Sequence, residues 1–370
     1  MTLSINSSTK KLVAAFAFLA LVGCSSAPKI ETVEPPAAPP GMRIAVFPMH
    51  NLTGRGAPFK KVRLAIIALL KKRGFEVLPE NRLEAFMARH RIRYIGGVDE
   101  ATAGALRDEE NVRAVLVLGL ESYMGGNPPK IALMARLVSA ETPPKVLWSE
   151  GVGISGNDAP GFFGVGLVTN ANVLTARATT QVADSLARFA AGIDASGEVN
   201  GGLKGKFERR QFQPRTTYRS EAGHPEPYKV AIVPFFNRSA RKNAGEIMAL
   251  HFMNELKNMG YEVVEPGAVR DQLLKFRIIM DQGINLPQTD ILLEMVDADM
   301  VITGRVIEYS EGGIPKVDFS AMGIERKSRE IAWALLSQNK GDDAETLFQM
   351  GKINTAHALA SKMIQVGRVW

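Results

Sequence analysis

The sequence predicts an α/β protein of two tandem domains, each a mixed β-sheet with packed helices, and three observations carry that prediction. A marker stretch occurs twice: Arg43 to Arg55, RIAVFPMHNLTGR, returns 186 residues on as Lys229 to Arg241, KVAIVPFFNRSAR, with the same proline (Pro48, Pro234) and asparagine (Asn51, Asn237). At that offset, positions 45–97 match 231–283 at 13 of 53 places, where chance gives roughly three to four, so an internal duplication is expected. Short apolar runs alternate with amphipathic helical stretches, and each series then passes into a hairpin-like pair of runs, which makes the sheets mixed.

A chain of 370 residues with 46% hydrophobic and 22% charged residues has the length and composition for two cores. The formal charge of +7 and a pI near 9.4 suit a polyanion, an anionic lipid surface or a cell-wall polymer. The N-terminus decides among these. Lys10 and Lys11 precede an apolar run, Leu12 to Leu21, too short to span a bilayer and suited to the core of a secretory signal. It ends in Leu21-Val22-Gly23-Cys24, which resembles a bacterial lipobox, so residues 1–23 are expected to be removed and Cys24 lipidated. Cys24 is the only cysteine, so no disulfide can form within the chain. Ser25 beside it points to the outer membrane of a Gram-negative cell, lipid-anchored on the periplasmic face, and nucleic acid is not expected as a partner. Residues 24–42, with five prolines from Pro28 to Pro40, read as an extended tether.

The first copy spans 43–191. After the strand Ile44 to Phe47, Val62, Ile66, Leu69 and Leu70 share one helical face and Gly74 stops the helix. Phe75 to Leu78 reads as a short strand, Asn81 to His90 as a helix, and Asp99 to Glu110 as a helix with an acidic cap. The nearly unbroken apolar run Val112 to Leu120 predicts a strand covered on both faces. Lys130 to Val138 and Lys145 to Glu150 predict an antiparallel hairpin, and Asn172 to Ala191 a closing helix. Between them, Gly151 to Val168 is expected to be a loop over the core. Its Phe162 and Phe163 also make it a candidate for contact with a partner or lipid.

Residues 192–228 read as a basic, glycine-containing linker, and 229–370 repeat the plan. Asn243 and Glu246 predict a capping box for a helix ending at Gly260, Pro266 a helix start, Asp299 to Val306 the central strand, and Asp343 to Val366 the last helix. Trp333 matches Trp148 one residue out of register.

Reactive constellations are not evident. His50, His90, His224, His251 and His357 show no metal-ligand spacing, and neither a nucleophile elbow nor a phosphate loop occurs. Gly151-Val152-Gly153 follows a hairpin, the wrong place for a dinucleotide loop. No catalytic, cofactor-binding or metal-ligating residue is therefore expected, and no cofactor. Asn51 with Thr53, and Asn237 with Ser239, read as turn chemistry, with the paired loops a candidate partner-binding place.

The strand followed by P-x-x-N-x-[ST], the helix closing at G-[FY]-E-V, the apolar strand ending in glycine (Gly119, Gly304) and the following hairpin together resemble the CsgG and TolB-N-terminal-like superfamily over both copies. The resemblance implies a non-catalytic envelope lipoprotein that binds other envelope proteins or oligomerises. Its role would be a binding or assembly part of an export or surface-structure system; the alternative is an LpoB-like activator of a peptidoglycan synthase.

Overall fold

The computed structural model describes residues 42–158, 167–193, 211–221, 228–278, 284–346 and 351–367. Cys24, the leader and tether, and Phe162 and Phe163 lie outside them.

The first half runs β1 (Arg43–Val46), β2 (His50–Asn51), α1 (Phe59–Lys72), β3 (Glu76–Val77), α2 (Glu80–Arg89), α3 (Glu100–Glu110), β4 (Ala114–Met124), β5 (Lys130–Ser139), β6 (Val146–Ser155) and α4 (Ala171–Ala190). The sheet order is β3-β1-β4-β5-β6, parallel around β1 and antiparallel from β4 onward, with β2 extending the pairing on β4. Val62, Ile66 and Leu70 place the apolar stripe of α1 in one core with α4, while Leu83, Phe86, Ala103 and Leu106 of α2 and α3 pack in a second. Asp99 caps α3 by accepting from the Thr102 amide at 2.7 Å.

The second half adds β7 (Thr216–Arg219) and then repeats the order as β8 (Lys229–Ile232), β9 (Phe236–Asn237), α5 (Ala244–Asn258), β10 (Glu262–Val263), α6 (Pro266–Lys275), α7 (Leu286–Met295), β11 (Met300–Ser310), β12 (Lys316–Glu325), β13 (Ile331–Lys340) and α8 (Ala356–Val366). Its register copies the first. Ala114 opposes Ser139 and, 186 residues on, Met300 opposes Glu325; the central strands bulge between Leu120 and Ser122 and between Val306 and Glu308. Trp148 pairs with Leu137 and Trp333 with Gly323, so the tryptophans are equivalent and the one-residue slip lies in a shorter hairpin turn.

The halves do not stand apart. Leu52, Met134 and Val146 of the first belong to the main core of the second. Helix α5 is buried without a break from Ile247 to Leu256, because sheet two lies on one side of it and β6 of sheet one on the other. A helix enclosed in this way must be apolar all round, and IMALHFMNEL nearly is.

Several expectations change. Gly151 to Ser155 continue β6, opposite Met134 to Lys130, so the expected loop begins only at Gly156. The expected linker contains β7, which pairs with the edge of β13, and the buried Phe212; both are drawn in because β13 otherwise offers an open edge. Asn243 makes no side-chain cap: at φ 60° its Nδ2 instead donates to the carbonyl of Asn51 in the first half. The last helix starts at Ala356, capped by Thr355, since Asp343 turns back to accept from the Lys340 amide. By register Gly119 corresponds to Arg305, and Gly304, one place earlier, corresponds to Leu118.

Candidate functional site

The concentration of buried polar chemistry lies on the seam between the halves. The bulge in β4 turns Glu121 out of its strand and against α5 and α8, where its side chain is fully enclosed. Glu121 Oε2 lies 2.6 Å from His357 Nδ1 and 3.4 Å from His251 Nε2, and Tyr309 donates its hydroxyl to Oε1. His251 Nε2 is also 3.1 Å from the Tyr309 hydroxyl, and its Nδ1 is 3.2 Å from Ser361 Oγ. His357 lies flat on β6: a Cβ on Gly153 would stand 2.6 Å from its ring, and one on Gly151 would stand 2.8 Å from its Nε2. The Gly-Val-Gly of the sequence thus makes room for an imidazole brought in by the other half.

Charge is distributed unevenly in this cluster. Burial favours a neutral Glu121, but the His357 and His251 imidazoles more than reverse it and hold the carboxyl well below its ordinary range. Burial also opposes charge on His357, yet the Glu121 carboxylate raises it, whereas His251, dominated by burial, is lowered. Burial first, and Glu121 second, push the Tyr309 hydroxyl well up, so it remains a donor. Glu121, His251 and His357 are the group of ligand-type side chains among the described residues whose donor atoms, all within 4.8 Å of one another, could hold a metal.

A second buried pair reinforces the seam. Arg136 of β5 grips Glu265, the N-cap of α6, with two bonds of 2.9 and 3.0 Å, and Glu265 also accepts from the Val98 amide at 3.0 Å. Backbones approach closely there: a Cβ on Gly267 would stand 2.2 Å from the Val98 nitrogen. Further along, Arg241 donates to the carbonyls of Leu52, Thr53 and Glu121.

The paired loops are local turns built alike. Thr53 Oγ1 donates to Asn51 Oδ1 at 2.8 Å and Ser239 Oγ to Asn237 Oδ1 at 2.7 Å, while each asparagine amide reaches the carbonyl of an arginine, Arg55 or Arg241. The Asn51–Thr53 loop is engaged by the second half through Arg241 and Asn243. His50 stands 3.5 Å from Glu246, but burial outweighs that carboxylate and keeps the imidazole below its ordinary value.

Sequence spacing did not announce the cluster, because its members come from two halves and lie 130 and 106 residues apart along the chain. Signals were present: a lone Glu in VLVLGLESYM, a His in the apolar face of α5, and glycines within a strand.

No protein-family model matches the chain, and no curated protein does. Among solved structures it is similar to the PelC dodecamer from Paraburkholderia phytofirmans, at 17% identity and a TM-score of 0.27, over 41% of this chain and 98% of that one. It is likewise similar to a lipoprotein from Neisseria meningitidis (22% identity, TM-score 0.29, 39% and 99% covered) and to the C-terminal domain of LpoB from Salmonella enterica (13%, 0.26, 39% and 97%).

Proposed function

We propose that this chain is a non-catalytic lipoprotein of the outer membrane, two duplicated CsgG/TolB-N-like domains on a proline-rich tether, acting as a binding or assembly component of an envelope export or surface-structure system. The observation that carries the reading is Leu21-Val22-Gly23-Cys24 placed at the end of a short apolar leader and followed by residues 24–42, rich in proline. A thioether lipid at Cys24 would hold the described body at the membrane surface, on a tether, Ser25 to Met42, that reaches about 55 Å when extended at about 3.1 Å per residue. The Glu121 cluster is shut away from solvent, which suits a role in holding the halves rather than turning over a substrate. Because the Asn51–Thr53 loop is engaged by Arg241, the last residue of the matching Asn237 loop, partner binding is assigned to the segment carrying Phe162 and Phe163.

Two measurements test this. Cys24→Ala should abolish labelling by a radioactive fatty acid and release the protein from sedimented membranes; a variant that still sediments and labels contradicts the anchor. Affinity capture of the intact protein from solubilised envelopes should recover export or surface-assembly components. Recovery of a peptidoglycan synthase instead replaces this role with that of an activator.

A further inference from the structure

We propose that Glu121, His251 and His357 form an enclosed structural zinc site that staples the two halves together.

Two imidazoles and a carboxylate converging on one point are the donor set a borderline divalent transition ion selects, and calcium or magnesium would not choose nitrogen donors. Tetrahedral zinc with bonds of about 2.0–2.2 Å needs donor atoms roughly 3.3–3.5 Å apart. His251 Nε2 already lies 3.4 Å from Glu121 Oε2, and the three donor atoms all lie within 4.8 Å of one another. The 2.6 Å approach of His357 Nδ1 to Glu121 has to widen by less than about 1 Å. The outer contact is in place for one ligand: Ser361 Oγ meets His251 Nδ1, fixing the ring with Nε2 turned toward the carboxylate.

A divalent ion at this point balances the fully buried Glu121 carboxylate, with His357 offering Nδ1, the nitrogen that faces that carboxylate. Enclosure makes the site structural, since Glu121, His251 and His357 are all shut away from solvent. The ligands come from β4 of one half and α5 and α8 of the other, so the ion has to enter before the halves close, and binding is then coupled to folding.

The test is metal analysis of the full chain purified in detergent, together with refolding in the presence of zinc, of cobalt, or of a chelator. The expected result is about one zinc per chain, visible d–d absorption of tetrahedral character with cobalt, and a lower Tm after refolding with chelator. Glu121→Gln keeps a hydrogen-bonding group of the same shape, so under a hydrogen-bonded cluster it folds with little change; under the zinc site it loses the metal. His90→Gln, on the exposed surface of the first half, keeps it. A wild-type chain that refolds metal-free with the same Tm in zinc and in chelator overturns the proposal, and so does zinc retained at full stoichiometry by Glu121→Gln.

Discussion

The two halves share their topology and register but not the use of their surfaces, and equivalent positions make the contrast plain. At the bulge of the central strand the first half carries Glu121, fully buried, and the second carries Ile307, 45% exposed. On the helix after the marker loop the first half has Leu64, 39% exposed, where the second has Leu250 at 5%. Where the first sheet holds Arg136, the second has Met322, and opposite its partner Glu265 stands Pro79. The strand β5 is buried along its whole length, whereas β12 alternates between buried and half-buried residues. The difference teaches that one fold offers two faces, and that the second half's helices have taken the outer face of the first half's sheet while its own equivalent face is only half-buried among the described residues.

That comparison is broken most severely at the ion pair. Arg136→Ala leaves Glu265 buried without its countercharge and should destabilise the protein by about 3–5 kcal/mol. Met322→Ala at the equivalent place should lose less than about 2 kcal/mol. Urea unfolding of both variants checks the ratio.

The bulge gives the next contrast. Glu121→Ile, which installs the residue of the second half, should destabilise by about 3 kcal/mol or more because His357 and His251 lose their shared acceptor in a closed site. Ile307→Glu should move stability by no more than about 0.5 kcal/mol. Equal effects at the two positions would remove the asymmetry.

Much of this architecture could be read in the sequence, and the part that could not has a physical reason. The 186-residue repeat located both sheets, and Gly74, Asp99 and Pro266 marked helix ends where local chemistry decides them. What was hidden depends on contact between the halves. Asn243 and Glu246 have the spacing of a capping box, yet Asn243 spends its amide on Asn51 and Glu246 faces His50. Gly151 to Ser155 look like a loop because glycine is a poor strand former, but a strand that must admit the ring of His357 needs glycine there. Thr216 to Arg219 carry no apolar pattern, being exposed side chains on an edge strand held by its backbone pairing with β13.

A gentler probe compares the helices. Leu250→Ala empties a site enclosed from both sides and should lose about 2–5 kcal/mol, while Leu64→Ala on the exposed face of α1 should stay within about 0.5 kcal/mol. Thermal melts of the pair suffice.

The smallest effect concerns pH. His50 corresponds by register to Phe236, and burial lowers its proton affinity below the ordinary value of 6.5. The unfolded chain therefore takes up its proton first as pH falls through 6.5, and the folded state loses stability until its own lower value is passed. His50→Phe should flatten that acid-side loss below about pH 7 and leave stability above pH 7 nearly unchanged. A steeper loss in the variant would mean that His50 is protonated in the fold and paired with Glu246.

The central claim is that the halves form one cooperative body. Each core has its own reporter, Trp148 in the first and Trp333 in the second, both buried. Single-tryptophan variants retaining one or the other, with the remaining tryptophans replaced by phenylalanine, should unfold in urea with coincident fluorescence transitions and equal midpoints. Two separated transitions, one for each tryptophan, would show halves that unfold independently and would contradict the account.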